Sequence, residues 1–274
     1  MSLGVQGHTV SGMRYGVSIP PFTDSATVLA LTREAEEAGW DGVFLWDHIQ
    51  WSVGMETHDP FVLLGAMARE TERVRLGTMV TPVSRRRPWV VAKQMTTLDH
   101  LSAGRAVLGV GLGDPQDLDF SDMGDVADPR ARAQLLDESL DVIDQLWRGP
   151  TQHTGEHYAV AGDFLPRPVQ RPRPSVWVAG VLPNRRPLRR ARRWDGVVPL
   201  AEGGTITPEQ LVDYLARVPA EEERVEPWDV VAGWAEGVPA QEYADAGTTW
   251  LIASTRPDED GWVESLRRTI STAR

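Results

Sequence analysis

RVRLGTMVTPVSRRRPWVVAKQMTTLDHLSAGRAVLGVGLG, residues 73–113, contains one complete unit of the fold. An apolar run from Val74 to Val80 leads into a proline-bearing turn. A helical stretch over 88–101 follows, and then a second apolar run, Ala106 to Val110, opens into the loop GLGDP. Neither run alternates strictly between apolar and polar residues, the pattern of parallel strands buried on both faces. Two parallel neighbours need a long crossover between them, and the helical stretch supplies it.

The same unit recurs along the chain. Tyr15 to Ile19 precedes a helix with Asp24 or Ser25 as N-cap and Gly39 as its stop. Gly42 to Trp46 precedes residues 59–71, where Asp59 caps and Pro60 takes the first helical position. After the fourth run, residues 115–130 are rich in Asp and Gly and read as a surface loop. Residues 131–147 are helical, with Leu135, Leu136, Ser139, Leu140, Ile143 and Trp147 on one stripe. The proline-rich segment 150–174 carries a hairpin-like arm, HTGEHYAV. Strand and helix pairs then resume with Val176 to Ala179, Gly196 to Leu200, Asp229 to Ala232 and Thr249 to Ala253. Eight strand-then-helix units most economically close into a (β/α)8 barrel of the TIM type, one α/β domain over 13–274. The alternative is an open doubly wound sheet. In a barrel, chemistry gathers on the loops after the strands. Those loops start near Phe22, Asp47, Thr81, Gly111, Gly180, Pro199, Trp234 and Ser254.

Composition narrows the function classes. The net charge of −11 argues against a nucleic-acid or anionic-membrane partner. Zero cysteines exclude disulfides and thiolate metal sites and fit a cytoplasmic protein. No apolar run nears the roughly 18 residues of a membrane span. Residues 1–12 lack the pattern of a signal peptide and read as a disordered leader. Lys93 is the sole lysine, so arginine richness carries less information than usual.

Among the strand-end residues, His48 beside Asp47 can take a proton, donate to an anion or simply bond a neighbouring backbone group. No ligand spacing for a metal accompanies it; His58 lies near, but Asp59 is better explained as a cap. Gly109-Val110-Gly111-Leu112-Gly113 permits close approach of a flat ring or phosphate, or serves packing alone, and it fails the dinucleotide fingerprint. Trp51 and Trp234 can wall a pocket for a planar ligand or pack in the core. Arg85 to Arg87 are a solvated run or an anion site at a helix start.

Together, MRYGVSIPP, AEEAGWDGVFLWDH, RVRLGTMVTP, RRRPWVVAKQMTTLDHLSAGRAVLGVGLG and LPRPVQRPRPSVWVAG resemble the luciferase-like flavin-dependent oxidoreductases. That superfamily includes bacterial luciferases, alkanesulfonate monooxygenases and enzymes using coenzyme F420, a 5-deazaflavin. The resemblance implies a (β/α)8 barrel and an FMN or F420 cofactor over its mouth. It implies that Asp47 and His48 face the reacting ring. Met79, Val80 and Thr81 would form the bulge behind the ring, where relatives often have a non-prolyl cis peptide. Gly111, Leu112 and Gly113 would approach the ribityl chain. Gly180, Val181, Asn184, Arg185 and Arg186 would hold its phosphate, and Phe22, Trp51 and Trp234 would line the substrate pocket. It also implies a small-molecule substrate, a homodimer and a separate flavin or F420 reductase. A non-catalytic flavin carrier and a metal-dependent barrel hydrolase are the other readings.

PNRRPLRRARRW, residues 183–194, reads in two parts. With Asn184 as N-cap, its arginines fall within an arc of roughly 160°. Arg189, Arg190, Arg192 and Arg193 then form a solvated outer face, while Arg185 and Arg186 sit at the helix start as anion ligands.

Overall fold

The computed structural model describes residues 10, 12–201, 205–218 and 225–272. The leader expected over 1–12 lies almost wholly outside them, as does Glu202. Among the described residues, strands β1 (Arg14–Ile19), β2 (Gly42–Leu45), β3 (Arg75–Thr81) and β4 (Ala106–Val110) alternate with helices α1 (Ser25–Glu37), α2 (Pro60–Glu70) and α3 (Pro88–Leu101). Helix α4 (Pro129–Arg148) follows, then a hairpin of β5 (Thr151–Thr154) and β6 (Ala159–Gly162). The alternation resumes with β7 (Ser175–Val181), α5 (Arg185–Ala191), β8 (Gly196–Leu200), α6 (Pro208–Leu215), β9 (Asp229–Gly233), α7 (Ala240–Asp245), β10 (Trp250–Ala253) and α8 (Trp262–Thr272).

The sheet closes. Its strand order is β1-β10-β9-β8-β7-β4-β3-β2, and the parallel pairing of Arg14–Val17 with Trp250–Ala253 joins the last strand to the first. The barrel therefore replaces the open-sheet alternative. The hairpin stands apart from it as a separate two-stranded sheet, as HTGEHYAV suggested. Helix starts follow their local chemistry. Asp24 and Asp59 accept from the amides of Thr27 and Val62, at 2.9 and 3.0 Å, and Pro60 occupies the first turn of α2. Among the described residues no helix is long and apolar enough to cross a membrane.

Two apolar layers result. The outer one joins strands to helices through residues such as Val17, Leu45, Leu76, Leu108 and Val178. The inner one fills the barrel with Phe44, Val107, Trp177, Val198, Val231, Trp250 and Ile252. Phe44, Trp177 and Trp250 meet with ring centroids 5.2–5.8 Å apart and plug the interior. Beneath them Asp229 accepts from Trp177 Nε1, Thr249 Oγ1 and Arg14, whose guanidinium lies over Trp250. In a barrel of this kind ligands bind at the strands' C-terminal ends.

Candidate active site

Above the plug, the inner layer ends in Met79, Ala179 and Leu200, which remain partly open. A side chain at Gly111 would run into Val80 and Ala179, and one at Gly113, whose φ is +83°, into Pro82 and Phe120. Gly233 differs, because a Cβ there would meet only Thr205 at ordinary contact distance. The mouth thus has a neutral floor of small and apolar groups, suited to a flat aromatic ring. On its β3 side the pairing with β4 shifts register between Thr78 and Thr81, and the Met79–Val80 peptide is cis. Met79, Val80, Thr81 and Gly111 to Gly113 therefore lie at one edge of the mouth. Arg132, buried on α4, holds the strand-four loop by donating to the Leu112 and Gly113 carbonyls at 2.9 and 3.0 Å.

His48 stands just after β2, the strand that pairs with β3, and so neighbours that edge of the mouth. Its Nδ1 lies 2.9 Å from Asp119 Oδ2, and its side chain retains 13% exposure. Asp119 is fully buried. Its other oxygen accepts from the amides of Ile49 and Gln50 at 2.8 and 3.0 Å, and Arg85 donates to the oxygen shared with His48. Burial pulls the Asp119 carboxyl upward. Its bonds from His48 and Gln50 and the Arg85 charge outweigh burial and hold it below the ordinary carboxylate range. An ionised acceptor at Nδ1 draws a ring proton to that nitrogen and leaves Nε2 outside the bond.

Asp47 is placed differently from His48. It is 1% exposed, and its carboxylate accepts from Arg85 at 2.7 Å and from two nitrogens of Arg86 at 2.7 and 3.0 Å. It is locked into the protein and does not face the mouth, so it supports the loop and offers no free oxygen to a reacting group. Arg85 and Arg86 are thereby explained as counter-ions of Asp47 and Asp119, and Arg86 also nears Asp59 at 3.6 Å. Asp119 escaped the sequence reading because 115–130 looked like a polar surface loop. The one available signal was its neighbour Phe120, an aromatic residue amid Asp and Gly, which is 1% exposed and covered by the Arg132 guanidinium at 4.3 Å.

This network has an acid limit. Because the fold lowers the Asp119 value, its stabilising contribution is complete above about pH 4, the unfolded carboxylate value. It is lost as pH falls through the lower folded value. Asp119→Asn should flatten the acid limb of a curve of Tm against pH below about pH 4. An acid limb identical to that of the unaltered protein would contradict the assignment.

Phe22 and Trp51 join His48. They stack at 5.8 Å and 22°, Trp51 meets the imidazole edge-on at 5.0 Å, and Trp46 closes the group at 5.4 Å from Trp51. Trp234 does not join them. It follows the outward register of β9, packs on Tyr15 at 5.9 Å and donates to the Val238 carbonyl at 2.9 Å, so it belongs to the helix-facing layer.

Val181 ends β7, Asn184 lies in the loop after it, and Arg185 and Arg186 open α5, all four exposed. Gly180 faces the other way, where a Cβ would strike Pro187 and the Tyr214 hydroxyl, so helix packing explains it. Asn184 occupies the N-cap position, but its side chain donates to the Val181 carbonyl at 3.0 Å. The expected solvated face of α5 needs correction. Arg192 is buried, and Arg190 is held by Asp137 of α4 with 8% of its side chain exposed. Arg193 reaches Asp141, one turn further along α4, at 2.8 Å. The periodicity of 183–194 located a basic face correctly, yet an acidic face on α4 runs beside it. Among the described residues no group of three or more His, Asp or Glu side chains is placed to hold a metal ion.

Fold and mouth together define a parallel (β/α)8 barrel with a buried-carboxylate-backed histidine at its open end. Residues 5–235 match the family model for luciferase-like monooxygenases, and the chain belongs to that family. It is 39% identical over 143 residues to an F420-dependent glucose-6-phosphate dehydrogenase of Microbacterium testaceum, covering 50% of this chain and 42% of that protein. It is 40% identical over 127 residues to the 4-hydroxyprotoasukamycin monooxygenase of Streptomyces nodosus subsp. asukaensis, covering 44% of this chain and 33% of that one. The matched stretch thus spans less than half the length of these curated relatives. Among solved structures, an F420-dependent secondary alcohol dehydrogenase in complex with an F420-acetone adduct superposes with a TM-score of 0.76 at 16% identity, over 96% of this chain and 99% of the other. The coenzyme F420-dependent tetrahydromethanopterin reductase of Methanopyrus kandleri follows at 0.74 and 17%, over 95% and 98%. These two likenesses concern the fold alone.

Proposed function

We propose that the chain is an oxidoreductase that binds coenzyme F420 at the barrel mouth and acts on a small organic molecule lying against His48. The observation that carries this reading is His48 itself, fixed through Nδ1 by the ionised Asp119, with Nε2 left for a substrate proton. The F420-dependent relatives support the cofactor choice. FMN is the second reading, supported by the monooxygenase relative. The neutral floor of Met79, Ala179 and Leu200 around Gly111 and Gly233 fits either ring.

When bound, the deazaflavin supplies a ring carbon that accepts or gives a hydride, whereas reduced FMN supplies oxygen chemistry. The protein contributes position and proton handling. Met79 to Thr81 and Gly111 to Gly113 would border the ring, and Arg185 and Arg186, exposed beside β7, would hold the cofactor's phosphate. His48 holds or takes a proton at Nε2, and Asp119 keeps the imidazole in that tautomer. Asp47 braces the loop through Arg85 and Arg86. The same reading brings a homodimer and, for a flavin, a separate reductase.

Titration with F420 and with FMN, followed by fluorescence, tests the proposal, and failure of both to bind below millimolar concentration overturns it. Arg185→Ala combined with Arg186→Ala should weaken cofactor binding about tenfold, the worth of a charge-assisted contact. Arg193→Ala, which removes only the pair with Asp141, should leave the affinity as it was. Equal losses in both would rule out the phosphate assignment.

A further inference from the structure

We propose that Trp46 limits the size of the molecule this mouth admits over β1 and β2, and that Ser18 fixes it in that post. This rests on the proposed function and goes beyond it by naming a specificity-determining residue and its anchor. A compound with a single flat ring is admitted there, and one with a second fused ring is held off.

Strand alternation decides which side chains enter the mouth. On β2, Phe44 belongs to the inner layer, while Val43 and Leu45 face the helices. Trp46 is therefore the next inward residue, and Asp47 turns away from the mouth, as its bonds to Arg85 and Arg86 show. On β1, a Cβ at Gly16 would strike Phe44 and Ile252 of the inner layer, and Val17 and Ile19 belong to the outer one. Ser18 is thus the inward residue one step higher, beside Trp46. The two meet there: Trp46 Nε1 donates to Ser18 Oγ at 2.8 Å, and Ser18 is 4% exposed.

The bond turns the indole's one polar atom toward the barrel wall. Two neighbouring rings fix its plane: Phe22 stands perpendicular to it at 5.9 Å and Trp51 edge-on at 5.4 Å. Trp46 is not a core residue like Trp177 and Trp250, which are fully buried; it remains partly open. The mouth is unequal as a result. Where β4, β7 and β9 end inward in Gly111, Ala179 and Gly233, β2 ends in the largest side chain there is. The small residues clear room for a flat ring on their side. Over β1 and β2 the room is already taken by a fused bicycle, so a second fused ring on a ligand finds no place.

The test titrates the full chain with benzamide and with 2-naphthamide, neutral probes that differ by one fused ring, and reads binding by calorimetry. In an open apolar pocket the area buried by the second ring adds about tenfold in affinity. The unaltered protein should show less than about twofold between the probes, and Trp46→Ala about tenfold or more in favour of 2-naphthamide. Trp46→Phe, which leaves one ring in place of two, should fall between them and serves if the alanine variant does not fold. Ser18→Ala keeps the indole but removes its anchor, and should raise the affinity for 2-naphthamide about threefold, the worth of one hydrogen bond. No change in that variant overturns the part given to Ser18. A preference of about tenfold already present in the unaltered protein, or the same ratio in both Trp46 variants, overturns the proposal. So does failure of both probes to bind any of these proteins below about 10 mM. The same proteins are titrated with F420 and FMN, and failure there counts against the parent reading alone, because the probe series uses no cofactor.

Discussion

His48→Ala is expected to lower kcat/KM by about 10²- to 10⁴-fold, the usual contribution of a positioned acid or base. The residue sits at the second strand's end with one ring nitrogen bonded to a buried, ionised carboxylate, so its orientation and tautomer are set before substrate arrives. Loss of the imidazole removes the only histidine in the aromatic group around the mouth, while Phe22, Trp46 and Trp51 keep the wall. Cofactor affinity should fall less than kcat/KM, since Met79 to Thr81 and Gly111 to Gly113 keep their place on the neighbouring strands. The check is steady-state kinetics beside a cofactor titration. A variant retaining more than about a third of the original kcat/KM would refute a proton-handling role.

Arg85→Leu should have the largest effect on stability. The guanidinium is 1% exposed and bridges Asp47 and Asp119, two carboxylates with no solvent exposure of their own side chains. Its removal leaves both burdened with uncompensated charge in a low-dielectric site, a change that costs about 3–5 kcal/mol when one partner of a buried pair is deleted. Arg86 still covers Asp47, so the greater distress falls on Asp119 and the His48 bond. Arg85→Lys should recover little, because one ammonium cannot reach two carboxylates and the Asp47 carbonyl as the planar fork does. Urea unfolding would measure the loss, and a change under about 1 kcal/mol would contradict the bridging role.

The barrel was legible because its signals are local and repeated. Apolar runs without alternation, caps such as Asp24 and Asp59, and Pro60 at a helix start each state their own structure. That His48, Phe22 and Trp51 stand after strands was legible too, and the structure brings their rings together. What stayed hidden depends on partners distant in sequence. Asp119 meets His48 across 71 positions, and Arg190 meets Asp137 across 53, so neither carboxylate's use can be read from its own neighbourhood. Trp234 was misread for a smaller reason. One residue of register decides whether a side chain at a strand end faces the mouth or the helices, and composition does not set that register.

The bond between Asp119 and His48 has a consequence for engineering. Its two halves come from different loops, one after β4 and one after β2, and the second loop's amides at Ile49 and Gln50 are held by the same carboxylate. Transplanting either loop alone from another barrel would import a histidine without its acceptor, or an acceptor without its histidine. These two segments form a single exchangeable cassette, and swaps that retune this mouth have to move them together.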